Sequence, residues 1–194
     1  MKIILGSASQ GRKRMMKKGG YPFEVMISDL DEKNLSDRPS TAERLTMFLA
    51  HAKATSVLRR IREEAILITA DQVVDCEGKI LEKPKNIGEA FEHIMLCTRT
   101  ARVATVTAVV VVNTMTRERH IGVDRATFRL RPFSWGEMEK LLGDDAALSC
   151  AGGISIENPL VAAHVEELEG AVDSVIGLPI TLTKELMERS GFQK

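Results

Sequence analysis

Apolar positions along this chain recur with two periods, one suited to strands and one to helices. Residues 66–70, Ile-Leu-Ile-Thr-Ala, form a short β-branched apolar run, which predicts a strand buried on both faces. Asp71 follows at once, so the strand is expected to end on a carboxylate. Residues 73–76, a turn at Glu77-Gly78 and a return through Ile80-Leu81 to Lys83-Pro84 predict a hairpin that brings Lys83 back beside Asp71. Residues 2–6 and 21–27 read as further strands. Residues 102–112 and 119–130 read as a long two-stranded ribbon turned by residues 113–118.

The helical period appears between these runs. Ser7, Ser9 and Gln10 suit a helix start, Met15 and Met16 would anchor that helix on the core, and Gly19-Gly20 would end it. Ser40 and Glu43 give a capping-box signature before Leu45, Phe48, Leu49 and Ala52, a stripe expected to run to about residue 64. Asn86 with Glu89 caps a helix through Phe91, Ile94 and Leu96. Ser134 opens a short one that stops at Gly143, with Trp135, the only tryptophan, expected in the core, and Pro179 introduces a last helix over residues 180–189. Strands and helices alternate throughout, so the class is α/β with a mixed central sheet.

At 194 residues and 44% apolar content the chain suffices for one domain over residues 1–194, as a single body or two small lobes. Lys plus Arg equals Asp plus Glu at 27 each, which argues against a nucleic-acid binder or a membrane-surface protein. The charge is unevenly spread, with five basic residues among the seven from Arg12 to Lys18, so a cationic pocket needs no cationic protein. The three cysteines are widely separated, in neither CxxC nor zinc spacing, and are expected as free thiols. No leader pattern is visible and the longest apolar tract, residues 106–112, is too short to span a bilayer; the expectation is a cytoplasmic protein.

No GxxxxGK[ST], GxGxxG or HExxH motif occurs, and the candidates left for chemistry are carboxylates and cations. An ionised carboxylate at a buried strand is costly without a metal, a cation or a proton to handle. Asp71 with Lys83 is therefore either an acid-base pair or a structural ion pair. Ser7, Ser9 and Arg12 at a helix start either bind an anion or belong to an ordinary capped helix with a solvated basic face. The carboxylates of residues 28–32 either help hold a divalent cation or form a solvated loop, and Lys53 depends on what sits opposite it. The glycine-rich segment 149–159 is of the kind that lines pockets. Together, Ser7, Ser9, Arg12, Lys53 and Lys83 could cradle phosphates while Asp71 with Glu32 holds Mg²⁺ and orients a water, a set suited to hydrolysis at phosphorus.

These residues fall in motifs whose order resembles the Maf (septum formation inhibitor) family along nearly the whole chain. They are SASxxR at 7–12, SDLDE at 28–32, AKA at 52–54, ADQVV at 70–74, KP at 83–84, CAG at 150–152 and VIGLPI at 175–180. The resemblance implies an elongated fold similar to that of the inosine triphosphate pyrophosphatases (Ham1-like), with a nucleotide cleft between two lobes. It further implies hydrolysis of a nucleoside triphosphate to the monophosphate and pyrophosphate with a divalent metal, Mg²⁺ or Mn²⁺. Asp71 matches the family's catalytic acid, read as proton acceptor and metal ligand, and Ser7, Arg12, Glu32, Lys53 and Lys83 match its other polar site positions. A homodimer and a role in nucleotide-pool cleaning or in cell division are further implications.

The family's branches resemble ADT with a later Gln, acting on dTTP and UTP, or SDQ with a later Glu, acting on N7-methyl-GTP. This chain has Gln72 and Glu157. N7-methylation makes the purine cationic and a guanine edge offers N1–H and N2–H donors, so a carboxylate acceptor fits it, whereas the carbonyls of uracil would be repelled. The expected activity is thus on a modified guanine nucleotide such as N7-methyl-GTP. The alternatives are a dTTP/UTP pyrophosphatase or a non-enzymatic nucleotide sensor regulating division. Gly11 stands where the opening loop usually carries a larger residue implicated in substrate choice. Cys97-Thr98 and Val106-Thr107 depart from the family's usual SG and TG.

Overall fold

The computed structural model describes residues 1–192, the side chain of Lys33 apart. The chain divides into two compact units. Residues 1–71, 107–124 and 177–194 belong to the first and residues 72–106 and 125–176 to the second.

The strands are β1 (Lys2–Leu5), β2 (Glu24–Val25), β3 (Ala65–Cys76), β4 (Lys79–Leu81), β5 (Val103–Asn113), β6 (Arg119–Leu130) and β7 (Val165–Glu169). Among the described residues these seven form one sheet in the order β2-β1-β3-β5-β6-β7, with β4 paired to β3. β1 runs parallel to both β2 and β3, whereas the β3–β4 and β6–β7 pairs are antiparallel, so the sheet is mixed as the alternation of elements predicts.

In the first unit helices α1 (Gln10–Lys18), α2 (Ala42–Leu58) and α8 (Ile180–Arg189) accompany the strands. Ser9 caps α1 as expected, its Oγ accepting from Arg12 N at 3.4 Å, and Met15 and Met16 are buried. The core holds Ile4 of β1, Leu67 of β3, Val110 of β5 and the small residues Ala50, Ala54 and Val57 of α2. Alanines let the helix lie close on the sheet, and that closeness matters for the site.

The second unit contains α3 (Ile87–Arg99), α4 (Trp135–Leu142), α5 (Ala146–Ser149), α6 (Pro159–His164) and α7 (Val172–Ile176). Val74 and Leu81 of the β3–β4 hairpin pack with Ile94 of α3, Phe128 of β6 and Leu141 of α4. Asn86 Oδ1 accepts from Glu89 N at 2.9 Å and Ser134 with Glu137 closes a capping box, so both sequence-marked starts are real.

Several boundaries differ from expectation. β3 does not stop at Asp71 but continues to Cys76, because Val73 and Val74 are as well suited to a buried strand as the residues before them. The expected strand over residues 21–27 shrinks to β2, exposed at both positions. Helix α2 starts after Thr41 rather than Ser40 and ends at Leu58, with no capping-box bond from Thr41. Every residue of β5 is buried, so the ribbon is an interior part of the sheet, and its short connection to β6 permits only an antiparallel return. Trp135 is 69% exposed, its ring edge-on to Phe91 and its Nε1 donating to Glu139. No helix among the described residues is long and apolar enough to cross a membrane.

Leu67 is fully buried. Leu67→Ala is expected to cost about 2–5 kcal/mol in urea unfolding, whereas truncating the exposed Val25 to Ala should change stability by less than about 0.5 kcal/mol.

Candidate active site

The two-residue alternation of β3 decides which side chains meet. Ala65 and Leu67 pack in the core with α2, so Thr69 and Asp71 lie on that same face. Thr69 Oγ1 donates to the carbonyl of Ala50 at 2.8 Å and pins the helix to the strand. Lys53, just under one turn beyond Ala50, returns to the same face of α2. Its Nζ donates to Asp71 Oδ1 at 2.5 Å and stands 3.0 Å from Glu32 Oε2. The Lys53 side chain is only 12% exposed, so it ends between two carboxylates instead of reaching water.

Close approach of β1 brings the opening loop to the same place. The Leu5–Ile68 register continues with Gly6 N donating to the Ile68 carbonyl at 2.7 Å. A Cβ on Gly6 would come within 2.5 Å of Thr69 Cγ2, so only glycine lets the backbone pass here without a shift. The chain then turns at Ser7, buried, whose Oγ accepts from Ser9 N at 3.2 Å. Arg12 Nη1 donates to the Ala70 carbonyl at 2.7 Å and to Ser7 Oγ at 3.4 Å, and its Nε donates to the Gly177 carbonyl at 2.9 Å. Gly11 is buried in α1.

Burial is the largest influence on Asp71 and holds its carboxyl above the usual carboxylate range. Lys53 and Arg12 pull in the opposite direction and Glu32 adds to the rise. A carboxylate raised in this way holds a proton more readily than an ordinary one.

Gln72, Lys83 and Glu157 belong to the second unit. Gln72 Nε2 donates to the carbonyls of Ser174 and Val175 at 2.8 and 3.2 Å. β4 ends at Leu81, two residues before Lys83, which is exposed. Gly152 N donates to the carbonyl of Glu82 at 3.1 Å, which ties the glycine-rich segment to the residue preceding Lys83. Burial raises the thiol of Cys150 in that segment, with the Ser149 hydroxyl and Lys83 opposing and Glu157 and Asp144 reinforcing the rise. Glu157 is exposed near the tip, and Asn158 next to it is held by Asp144 Oδ2 at 2.7 Å.

The described geometry thus gathers Ser7, Ser9, Arg12, Glu32, Lys53 and Asp71 in the first unit, and Lys83 with Glu157 in the second. The sequence pattern does not mark Gly6 as a close approach, and it marks Gly177 only as a break before the last helix, not for the carbonyl that accepts from Arg12. Gly177 has φ of 105°, and its place right after an apolar pair and before Leu-Pro is the one signal that marked it.

A family model described as Maf-like protein matches residues 2–190. The chain belongs to the Maf-like protein family. This Maf-like chain is 37% identical over 194 residues to a protein of Dictyostelium discoideum named 7-methyl-GTP pyrophosphatase, with 96% of each chain covered. It is 34% identical over 190 residues to a protein of Thermoanaerobacter sp. (strain X514) named dTTP/UTP pyrophosphatase, covering 97% of this chain and 96% of the other. A solved HAM1 protein from Coxiella burnetii aligns with a TM-score of 0.41 at 11% identity, over 67% of this chain and 73% of that one, too loose a likeness to bear on the site.

Asp71 and Glu32 are the carboxylates that could hold a divalent cation. Both stand within ion-pair distance of the Lys53 ammonium, so the two carboxylates lie near each other. Among the described residues no group of three or more His, Cys, Asp or Glu gathers for a metal, and a pair is what Mg²⁺ asks of a protein when phosphates and water complete the shell.

Because Asp71 is raised in the folded state, its ionised form opposes folding. The native state binds the proton longer than the unfolded chain, so stability falls as pH climbs from the ordinary carboxylate range through the raised native value. Asp71→Asn should therefore leave Tm at pH 8 unchanged or higher. A fall of more than about 4 °C, about 1–2 kcal/mol for a chain of this size, would mean that Lys53 and Arg12 outweigh burial.

Proposed function

We propose that this protein is a metal-dependent nucleoside triphosphate pyrophosphatase that cleaves a modified guanine nucleotide such as N7-methyl-GTP to the monophosphate and pyrophosphate. The observation that carries the reading is the buried Asp71 carboxylate held by Lys53 beside Glu32, a base with two cations and a second carboxylate around it. Asp71 accepts the proton of the attacking water. Lys53 orients the Asp71 carboxylate through Oδ1 and neutralises charge that builds on phosphoryl oxygens. Ser7, Ser9, Arg12 and Lys83 complete the phosphate contacts. A divalent ion, Mg²⁺ or Mn²⁺, held by Asp71 and Glu32, would supply charge neutralisation of the triphosphate.

Glu157 supports the guanine preference. An exposed carboxylate on a tethered loop offers two acceptors to the N1–H and N2–H edge and attracts the cationic ring of N7-methylguanine. Kinship with a protein named 7-methyl-GTP pyrophosphatase supports the same choice, and kinship with proteins named dTTP/UTP pyrophosphatase keeps those substrates as the second reading.

A pyrophosphate-release screen over N7-methyl-GTP, GTP, UTP and dTTP decides between them, and kcat/KM is expected to be highest for N7-methyl-GTP. A preference for UTP or dTTP would select the second reading, and nucleotide binding with no product would select a sensor. Asp71→Asn should lower kcat by at least about 100-fold. Removing divalent ions with EDTA should abolish turnover and Mg²⁺ or Mn²⁺ restore it; undiminished activity in EDTA would overturn the metal requirement.

A further inference from the structure

The second unit holds a pair of nucleophiles that the phosphate chemistry does not use. Cys76 closes β3 and Cys97 sits in the last turn of α3, and their Sγ atoms are 3.7 Å apart, in van der Waals contact. Both are buried, at 4% and 0% exposure, in the apolar core that also holds Val74, Ile94 and Val103. A disulfide sets its sulfurs about 2.0 Å apart, so this contact has about 1.7 Å left to close. Cys150, the third cysteine, is half-buried in the glycine-rich segment.

The surroundings make the two thiols unequal. The hydrogen bond with Cys97, helped by the Thr100 hydroxyl, draws Cys76 below the ordinary thiol range against burial and the carboxylates of Asp75 and Glu77. The same bond, together with burial, pushes Cys97 well above that range. Cys97 therefore keeps its proton and Cys76 is the nucleophile. Access comes through the hairpin. Cys76 is followed by Glu77, Gly78 and Lys79, all exposed, and Glu77 stands at φ of 51°, in the left-handed region that a non-glycine residue adopts at a cost. An exposed turn of this kind opens locally while the strands behind it stay paired. Cys97 in turn lies two residues before the exposed Arg99 that ends α3.

We propose that Cys76 and Cys97 form a modification site, at which an oxidant of the peroxide class converts the two thiols to a reversible disulfide between the end of β3 and the last turn of α3. The Cys76 thiolate, its proton released to solvent, attacks one peroxide oxygen. The O–O bond breaks, hydroxide leaves with the electron pair and takes up that proton, and Cys76 is left as a sulfenic acid. The Cys97 sulfur then attacks the Cys76 sulfur, the S–O bond breaks, and the Cys97 proton leaves with the oxygen as water. The two sulfurs lose two electrons between them, and the peroxide becomes two molecules of water. The alternative is a pair of inert thiols that fill the core as small apolar groups. Neither reading depends on the nucleotide chemistry of the first unit.

The test treats the reduced full chain with hydrogen peroxide under native conditions, weighs it, then denatures it with N-ethylmaleimide, digests it and maps the peptides by mass spectrometry. The intact mass is expected to fall by two hydrogens. The map should show one linked peptide pair containing Cys76 and Cys97, with Cys150 alkylated, and dithiothreitol should restore all three thiols. Cys97→Ser is expected to stop at a sulfenic acid on Cys76 that dimedone labels, whereas in Cys76→Ser the protonated Cys97 stays unlabelled. Cys76 and Cys97 both alkylated after peroxide, a sulfinic acid on Cys76 of the wild type, or a bond from either to Cys150 or to a second copy would overturn the inference. Dimedone on Cys97 in Cys76→Ser, with none on Cys76 in Cys97→Ser, would overturn the order of attack. The wild-type map needs no substitution, so a variant that fails to fold leaves the decision standing.

Discussion

A carboxylate in the interior of a strand is the constraint around which the first unit is arranged. Asp71 is 6% exposed, with six residues of β3 before it and five after it, where neither water nor a turn relieves its charge. Such a group persists only with a cation beside it or with its proton retained. The protein does some of each: burial raises the carboxyl, and Lys53 and Arg12 limit the rise. The carboxylate is therefore less comfortable than the core around it.

The rest of the first unit delivers those cations. Alanines on α2 bring the helix close to the sheet, the Thr69 hydroxyl pins Ala50, and the next turn places Lys53 over Asp71. On the other side of β3, parallel pairing with β1 and the bare Cα of Gly6 lead the chain past Thr69 into Ser7 and the cap of α1, from which Arg12 reaches the Ala70 carbonyl. Arg12 is consequently more than a surface charge on a basic helix. Its donors to Ala70, Ser7 and Gly177 connect segments far apart in sequence, and one of them holds the peptide that precedes Asp71.

The second unit contributes a loop whose shape owes more to backbone bonds than to side-chain packing. Gly152 ties it to Glu82 and Asp144 holds Asn158, next to Lys83 and Glu157 in sequence. A lysine and a glutamate so placed differ in what they attract, the lysine phosphate and the glutamate a donor-rich or cationic base.

Much of this was written in local pattern. The caps at Ser9, Asn86 and Ser134, the β3–β4 turn at Glu77-Gly78 and the β5–β6 ribbon follow from capping, turn and strand chemistry that neighbours in sequence supply. That Asp71 would need a cation or a proton was legible too, because an ionised carboxylate after residues 66–70 is costly alone. Its position within β3 was not, since a charged residue reads as a strand end until the lysine that offsets it is known. Trp135 misled for the opposite reason, an aromatic with no core left to enter once Phe91 and Glu139 met it at the surface. The sequence by itself thus determined the elements, the α/β class and the kinds of side chain the site would use. Only the tertiary structure decided that Lys53, eighteen residues before Asp71, is the cation that meets it, and that Gln72 points at α7. Periodicity and caps are short-range and read from adjacent residues, whereas a charge pair between helix and strand exists only when packing across the sheet brings the two faces together.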